Sequence, residues 1–119
     1  MRIRFKKWAR PELEASEFYI DNPEDYKGKW RELFKNPEAP LHLELGCGKG
    51  TFMAKLATRD RNVNHIAIDV VDAMLGLAKR NIEAEFKENN MEIDNVYLTR
   101  FDIERILLIM DKKDSIDRI

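Results

Sequence analysis

Three carboxylates in this sequence sit at the ends of short apolar runs. Glu44 closes Leu41-His42-Leu43, Asp69 follows Ile66-Ala67-Ile68, and Asp102 comes shortly after Val96-Tyr97-Leu98. Just behind Glu44, glycines occupy alternate positions at Gly46, Gly48 and Gly50. Glycine has no side chain and tolerates positive φ, so a ligand can lie against the backbone of such a turn. The turn opens onto a helix signal at 51–57, and a helix N-terminus presents free N–H groups that attract a carboxylate or a phosphate. A carboxylate just ahead of the glycines can take an ammonium group while backbone N–H groups take a carboxylate. Asp69 lies 69 − 50 = 19 positions past the last of these glycines, a distance at which a carboxylate can accept both ribose hydroxyls of an adenosine. Asp102 can face the adenine amino group. The alternative is a tight turn built from glycines, with each acid serving only as a helix cap. Acids at successive strand ends favour the ligand site.

The elements that must position these groups are legible in the periodicity. Leu41, Leu43 and Leu45 alternate with His42 and Glu44, which predicts a strand over 41–45. A helix is predicted over 51–58, then a polar loop, then a buried strand over 63–70. Leu75, Ala78, Ile82 and Phe86 mark one face of a helix over about 71–89, closed by Asn89-Asn90. A short strand at 96–98 follows. Ile103, Ile106, Leu107 and Met110 predict a third helix, 111–114 a polar turn, and 115–119 the opening of a fourth strand. This β-α-β-α-β-α-β order predicts an α/β fold, a parallel sheet with right-handed crossovers and flanking helices. Ligands of such sheets bind beyond the carboxyl ends of the strands, where the acids fall.

Residues 1–20 show no regular period, and Arg10-Pro11 is expected to break any early helix. Asn22 as cap, Pro23 at the first helical position, and Glu24 and Asp25 in the first turn predict a helix carrying Tyr26, Trp30 and Phe34 as one aromatic stripe. The stripe is expected to pack on the sheet, and Lys27, Lys29, Arg31 and Lys35 to extend a basic surface. Pro37 and Pro40 end the segment. Arg2, Arg4, Lys6, Lys7 and Arg10 crowd the first ten residues with no acid among them, which suits a phosphate backbone or a solvated tail equally. Phe5 and Trp8 interleave with these charges, as base-stacking groups or, more commonly for a lone Trp, as an anchor.

The totals describe one ordinary domain: 119 residues, 36% charged, 44% hydrophobic, net charge −1. No apolar run approaches the roughly 20 residues needed to cross a membrane, and no signal peptide is seen. The single Cys47 cannot form an internal disulfide, which fits a reducing cytoplasm. It has no catalytic His placed beside it and reads as a small turn residue. His42 and His65 precede or lie within strands and read as structural or partly exposed, and no His/Cys cluster suggests a metal.

The dinucleotide fingerprint G-x-G-x-x-G needs glycine at position 51, where Thr51 stands. Glu44-x-Gly46-x-Gly48-x-Gly50 instead resembles motif I of S-adenosylmethionine (SAM)-dependent methyltransferases. SAM carries no phosphate but has a carboxylate and an ammonium, which suits a turn preceded by an acid.

Over the whole chain the sequence resembles the bacterial tRNA (guanine-N7-)-methyltransferase family. The resemblance rests on Arg2-x-Arg4-x-Lys6-x-Trp8-Ala9-Arg10-Pro11-Glu12-Leu13, then Phe18, Ile20 and Asp21, then Tyr26-Lys27-Gly28-Lys29-Trp30, then His42 to Gly50, and it weakens from Val71 onward. It implies a Rossmann-like class I methyltransferase fold, SAM as cofactor, and methyl transfer to N7 of a guanine in the variable loop of tRNA (position 46). Glu44 and Asp69 then correspond to SAM-binding acids, with Asp102 less closely matched, and the basic arm to a tRNA contact. Guanine N7 already has a free lone pair, so positioning and electrostatics matter more than a general base.

The family continues beyond the last residues here into a strand ending in Asp/Asn-Pro-Trp-Pro, whose acid meets the target guanine. The expected catalytic acid therefore lies beyond Ile119. Residues 1–40 are expected to form the basic arm and a helix, and 41–119 the N-terminal half of the SAM domain, inactive alone. The other readings are a SAM methyltransferase for another RNA or a small molecule, and a non-catalytic RNA-binding module.

Overall fold

The computed structural model describes residues 5–119. Four strands, β1 (Tyr19–Ile20), β2 (Leu41–Leu45), β3 (Asn64–Asp69) and β4 (Val96–Arg100), form one parallel sheet in the order β1-β4-β3-β2. Alternation along each strand sends side chains to opposite faces. In β3, Ala67 faces a layer of helices while Ile66 and Ile68 face the other side. The helical layer comprises α1 (Ala9–Glu14), α2 (Thr51–Arg59) and α3 (Asp72–Glu88). Leu13, Met53, Ala54, Ala57, Leu75, Ala78, Ile82 and Phe86 pack there against Ala67, Val96 and Leu98. On the opposite face Leu41, Leu43, Ile66 and Ile68 meet Trp30, Phe34, Ile109 and Met110.

The strands and helices between 41 and 100 match their predicted positions within two residues at each end. Three expectations fail. Arg10-Pro11 does not prevent an early helix, because Pro11 falls in the first turn of α1, where its missing N–H has no intrahelical partner to lose. The helix predicted after Asn22 is two 3-10 turns, Pro23–Tyr26 and Trp30–Leu33, separated by Gly28 at φ +78°. Asn22 bonds the Asp25 side chain rather than capping the backbone. The third helix is a 3-10 segment, Ile103–Leu108, kinked at Arg105.

A tertiary constraint explains the second difference. The buried Asp114 carboxylate accepts from the backbone N–H of Gly28 (2.9 Å), Trp30 (3.1 Å) and Asp111 (2.8 Å), pinning the chain where a continuous helix would run. The aromatic stripe still packs on the sheet: Trp30 and Phe34 are buried, and Phe34 meets Tyr97 edge-on at 5.1 Å. Arg31 is not a free surface charge, since it donates to the carbonyls of Pro37, Ala39, Asp114 and Ser115 and pairs with Asp117.

The expected last strand shows its pairing. His42 and Arg118 form a parallel bridge on the free side of β2, with Leu43 N donating to Arg118 O at 2.8 Å and Asp117 N to Leu41 O at 2.9 Å. Among the described residues no helix is long and apolar enough to cross a membrane.

Candidate functional site

The glycine turn joins β2 to α2 in a left-handed path. Gly46, Gly48 and Gly50 have φ of +75°, +56° and +72°, conformations that L side chains adopt only with strain. The N–H groups of Gly46 and Cys47 both donate to Ile68 O, at 2.7 and 3.2 Å, so the turn starts fixed to β3. Gly50 then forms the N-cap of α2. The glycines differ in their surroundings. A Cβ on Gly50 would lie 2.6 Å from Ala78 Cβ, so this glycine lets α3 approach. A Cβ on Gly48 would meet nothing within 4 Å, so this glycine faces open space.

Asp69 ends β3 beside that opening. Its Oδ2 accepts from Gly48 N at 3.1 Å, and its Oδ1 from Val70 N and Val71 N at 2.8 and 3.1 Å. A carboxylate offers about four lone-pair sites, which leaves capacity for a ligand hydroxyl. Glu44 is half-buried and accepts no hydrogen bond among the described residues, and burial holds its carboxyl above the ordinary Glu range. A desolvated carboxylate without a cation is costly unless a ligand supplies one. Cys47 lies between the acids: burial first, then the Asp69 and Glu44 charges, push its thiol up to about 12. It is no nucleophile near neutral pH.

Asp102 sits two residues past the end of β4, at the same edge. Its Oδ1 accepts from Glu104 N at 3.0 Å, so it caps the following 3-10 segment, as its alternative reading required. Ile103 Cδ1 stands 3.9 Å from where a Gly46 Cβ would be, which brings this segment over the glycine turn. A groove of about 490 Å³ runs along β2 and α2, lined by His42, Glu44, Phe52, Asp60, His65 and Arg118 among others; of the candidate acids only Glu44 reaches it.

Of the basic arm, Arg2 and Arg4 lie outside the described residues. Lys7 is exposed and Lys6 half-buried, and neither makes an ion pair among the described residues. Arg10 is committed: its Nε and Nη2 donate to Asp72 Oδ2 at 3.2 and 3.0 Å. Trp8 is an anchor, with the Arg80 guanidinium 3.5 Å from its ring centroid and its edge near Gly76. Asp72 and Arg100, which the sequence did not single out, also stand at this end of the sheet. Nothing in their local pattern separates them from a first-turn helix acid and a surface arginine.

A parallel α/β sheet with a glycine turn at a helix N-terminus and acids at or just past the ends of three adjacent strands defines a Rossmann-like fold. The chain belongs to the family described as "Putative methyltransferase", whose family model matches residues 38–119. It is 54% identical over 119 residues to a tRNA (guanine-N(7)-)-methyltransferase of Clostridium perfringens (strain SM101 / Type A), covering all of this chain and 54% of that protein. A protein of the same description from Clostridium beijerinckii is 53% identical with the same coverage, and one from Clostridium tetani is 44% identical, with 53% of its length covered. The chain thus spans about half the length of the curated relatives it matches. A solved chain titled "Structure of an Antibiotic Related Methyltransferase" is 25% identical at a TM-score of 0.42, covering 63% of this chain and 35% of that one.

Proposed function

We propose that this chain supplies the SAM-binding part of a tRNA guanine-N7 methyltransferase. The observation that carries the reading is Glu44: a half-buried carboxylate, without a partner among the described residues, directly ahead of a glycine turn whose middle glycine faces open space. That donor set fits the methionine end of SAM. Glu44 takes its ammonium, and N–H groups at the turn take its carboxylate. Asp69 takes the ribose, and Asp102 lies at the adenine end. When bound, SAM supplies the methyl group. The protein's work is to hold it in place and to exclude the alternative of NAD, whose pyrophosphate would meet Glu44. The relatives named for tRNA (guanine-N7) methylation support the choice of acceptor.

The residue that meets the guanine is proposed to belong to sequence beyond Ile119, and residues 1–119 alone to hold SAM without methyl transfer. Lys6, Lys7 and Arg10, with Arg2 and Arg4 ahead of them, are proposed to contact tRNA phosphates, in a cytoplasmic setting. Unmodified tRNA and labelled SAM, supplied to this chain and to one of the full-length relatives, test the proposal. SAM should bind both, and N7-methylguanosine should form only with the longer protein. Binding of NAD in place of SAM would reject the assignment.

A further inference from the structure

We infer that Arg10, hydrogen-bonded to Asp72, and Arg100, which the same carboxylate faces as an ion pair, form a two-guanidinium clamp for an RNA phosphate at the rim of the cofactor site. The inference rests on the tRNA reading above but adds to it a residue outside the basic arm. Arg100 ends β4 in register with Asp69 of β3, so its side chain starts at the strand end where the ribose acid sits. Asp72 is the first residue of α3, three positions beyond Asp69. Its Oδ2 takes both donors of Arg10, and its Oδ1 lies 3.4 Å from Arg100 Nε. Asp72 offsets one of the two positive charges, and Asp69, in register with Arg100, is the other carboxylate at this strand end. Tyr19 lies close enough that burial, then the charges of Arg10, Asp21, Asp72 and Arg100, all act on its hydroxyl.

Arrangement and unused capacity separate a clamp from a plain latch. In the neighbouring contact between α1 and α3 the cations are covered by more partners: Arg80 gives Nε and Nη2 to Glu12 at 2.9 and 2.8 Å while stacking on Trp8, and Lys79 joins Glu12 and Glu83. Arg100 is different. Only its Nε is used, donating to Val70 O at 3.1 Å, and both terminal nitrogens donate to nothing among the described residues. Arg10 uses Nε and Nη2, as Arg80 does, and its Nη1 donates to nothing among the described residues. Both side chains are almost half exposed, at 45% and 44%. Val70 and Val71 stand exposed beside them, an apolar shelf on which a ribose or base can rest. Planar guanidiniums fixed at their inner edge with outer N–H groups turned to solvent are suited to bidentate phosphate contact. SAM has no phosphate, so the anion that fits here belongs to the nucleic acid.

The test measures tRNA affinity against salt, and SAM affinity separately, for wild type, Arg100→Gln and Arg100→Lys, with thermal melts to confirm folding. Arg100→Gln should weaken tRNA binding roughly tenfold or more and reduce the log–log salt slope by about 0.7–0.9, one phosphate's worth. Arg100→Lys should restore the slope but only part of the affinity. SAM affinity should not change. Unaltered tRNA affinity and slope in a folded Arg100→Gln overturns the clamp and leaves the tRNA reading standing. Lost SAM affinity instead would assign Arg100 to the cofactor and also overturn it. A wild-type chain that binds SAM but no tRNA overturns the clamp, and one that binds neither removes the reading as well.

Discussion

Asp69 Oδ2 and the backbone N–H of Gly48 are joined by a 3.1 Å hydrogen bond, which ties the end of β3 to the open middle of the glycine turn. That carboxylate fixes the path of the turn at the one glycine of the three whose Cβ position meets no neighbour. Asp69→Ala should cost SAM affinity by about 1.5–3 kcal/mol, the range for a hydrogen bond to a charged group, and should also lower stability by leaving three N–H groups without their acceptor. Calorimetric titration with SAM and urea unfolding read the two effects. Unchanged SAM affinity in the variant would exclude Asp69 from the site.

Glu44 makes an opposite bargain between stability and binding. Burial raises its carboxyl in the folded chain, so the native state holds its proton to a higher pH than the unfolded state does. In the interval between the two values, stability falls as pH rises, and at neutral pH Glu44 is a net cost to the fold. Glu44→Gln should therefore be at least as stable as wild type at pH 7. It should nevertheless bind SAM more weakly by about 1.5–3 kcal/mol, because the ammonium loses its charged partner. In wild type, SAM affinity should fall on acidification at a higher pH than an ordinary Glu would give. A variant that is less stable and binds SAM equally well would contradict both parts.

These groups were legible because their signals are local: alternation into Glu44, glycines at fixed spacing, a β-branched run into Asp69. The N-terminal segment was not, because its shape is set by residues far along the chain. Asn22, Pro23 and the aromatic spacing all favour a helix, yet Asp114 takes the N–H groups of Gly28 and Trp30 from a distance of more than eighty residues in sequence. β1 has only two residues and gains its place by pairing with β4, beyond the reach of any periodicity. Asp102 illustrates a subtler limit. A strand-end acid that caps the next turn and one that faces a ligand share one sequence signature, and the cap is what its hydrogen bond reveals.

The glycines are predicted to differ under substitution. Gly50→Ala places a methyl 2.6 Å from Ala78 Cβ and 2.9 Å from its Cα, at φ +72°. Strain of about 1–3 kcal/mol for the left-handed residue adds to displacement of α3, so this variant should lose more than 3 kcal/mol or fail to fold. Gly48→Ala meets no atom within 4 Å and should show the backbone strain alone. Its main effect should appear in SAM binding, where the methyl occupies the open space. Urea midpoints and SAM titration of the pair check this, and equal destabilisation would refute the distinction.

His65 predicts an acid-sensitive fold. Its ring is fully buried at the start of β3, edge-on to His42 at 5.8 Å, and neither ring nitrogen has a hydrogen-bond partner among the described residues. Burial first, then the His42 charge, lowers its pKa to about 4, against a weaker opposite pull from Asp60. Between about 4 and the unfolded value near 6.5, the unfolded chain binds the proton and the native chain does not. Stability from this group is therefore complete above pH 6.5 and is lost as pH falls toward 4, by about 3 kcal/mol in all. Glu44 has the reverse sign at the lower edge of this window, so the measurement belongs in a Glu44→Gln background. Urea unfolding at several pH values from 7.5 to 4.5 should show a steep acid loss there. His65→Leu should flatten it and cost little at pH 7, because it removes both buried nitrogens without leaving a new orphan. The same acid slope with leucine at this position would mean that another group carries the sensitivity.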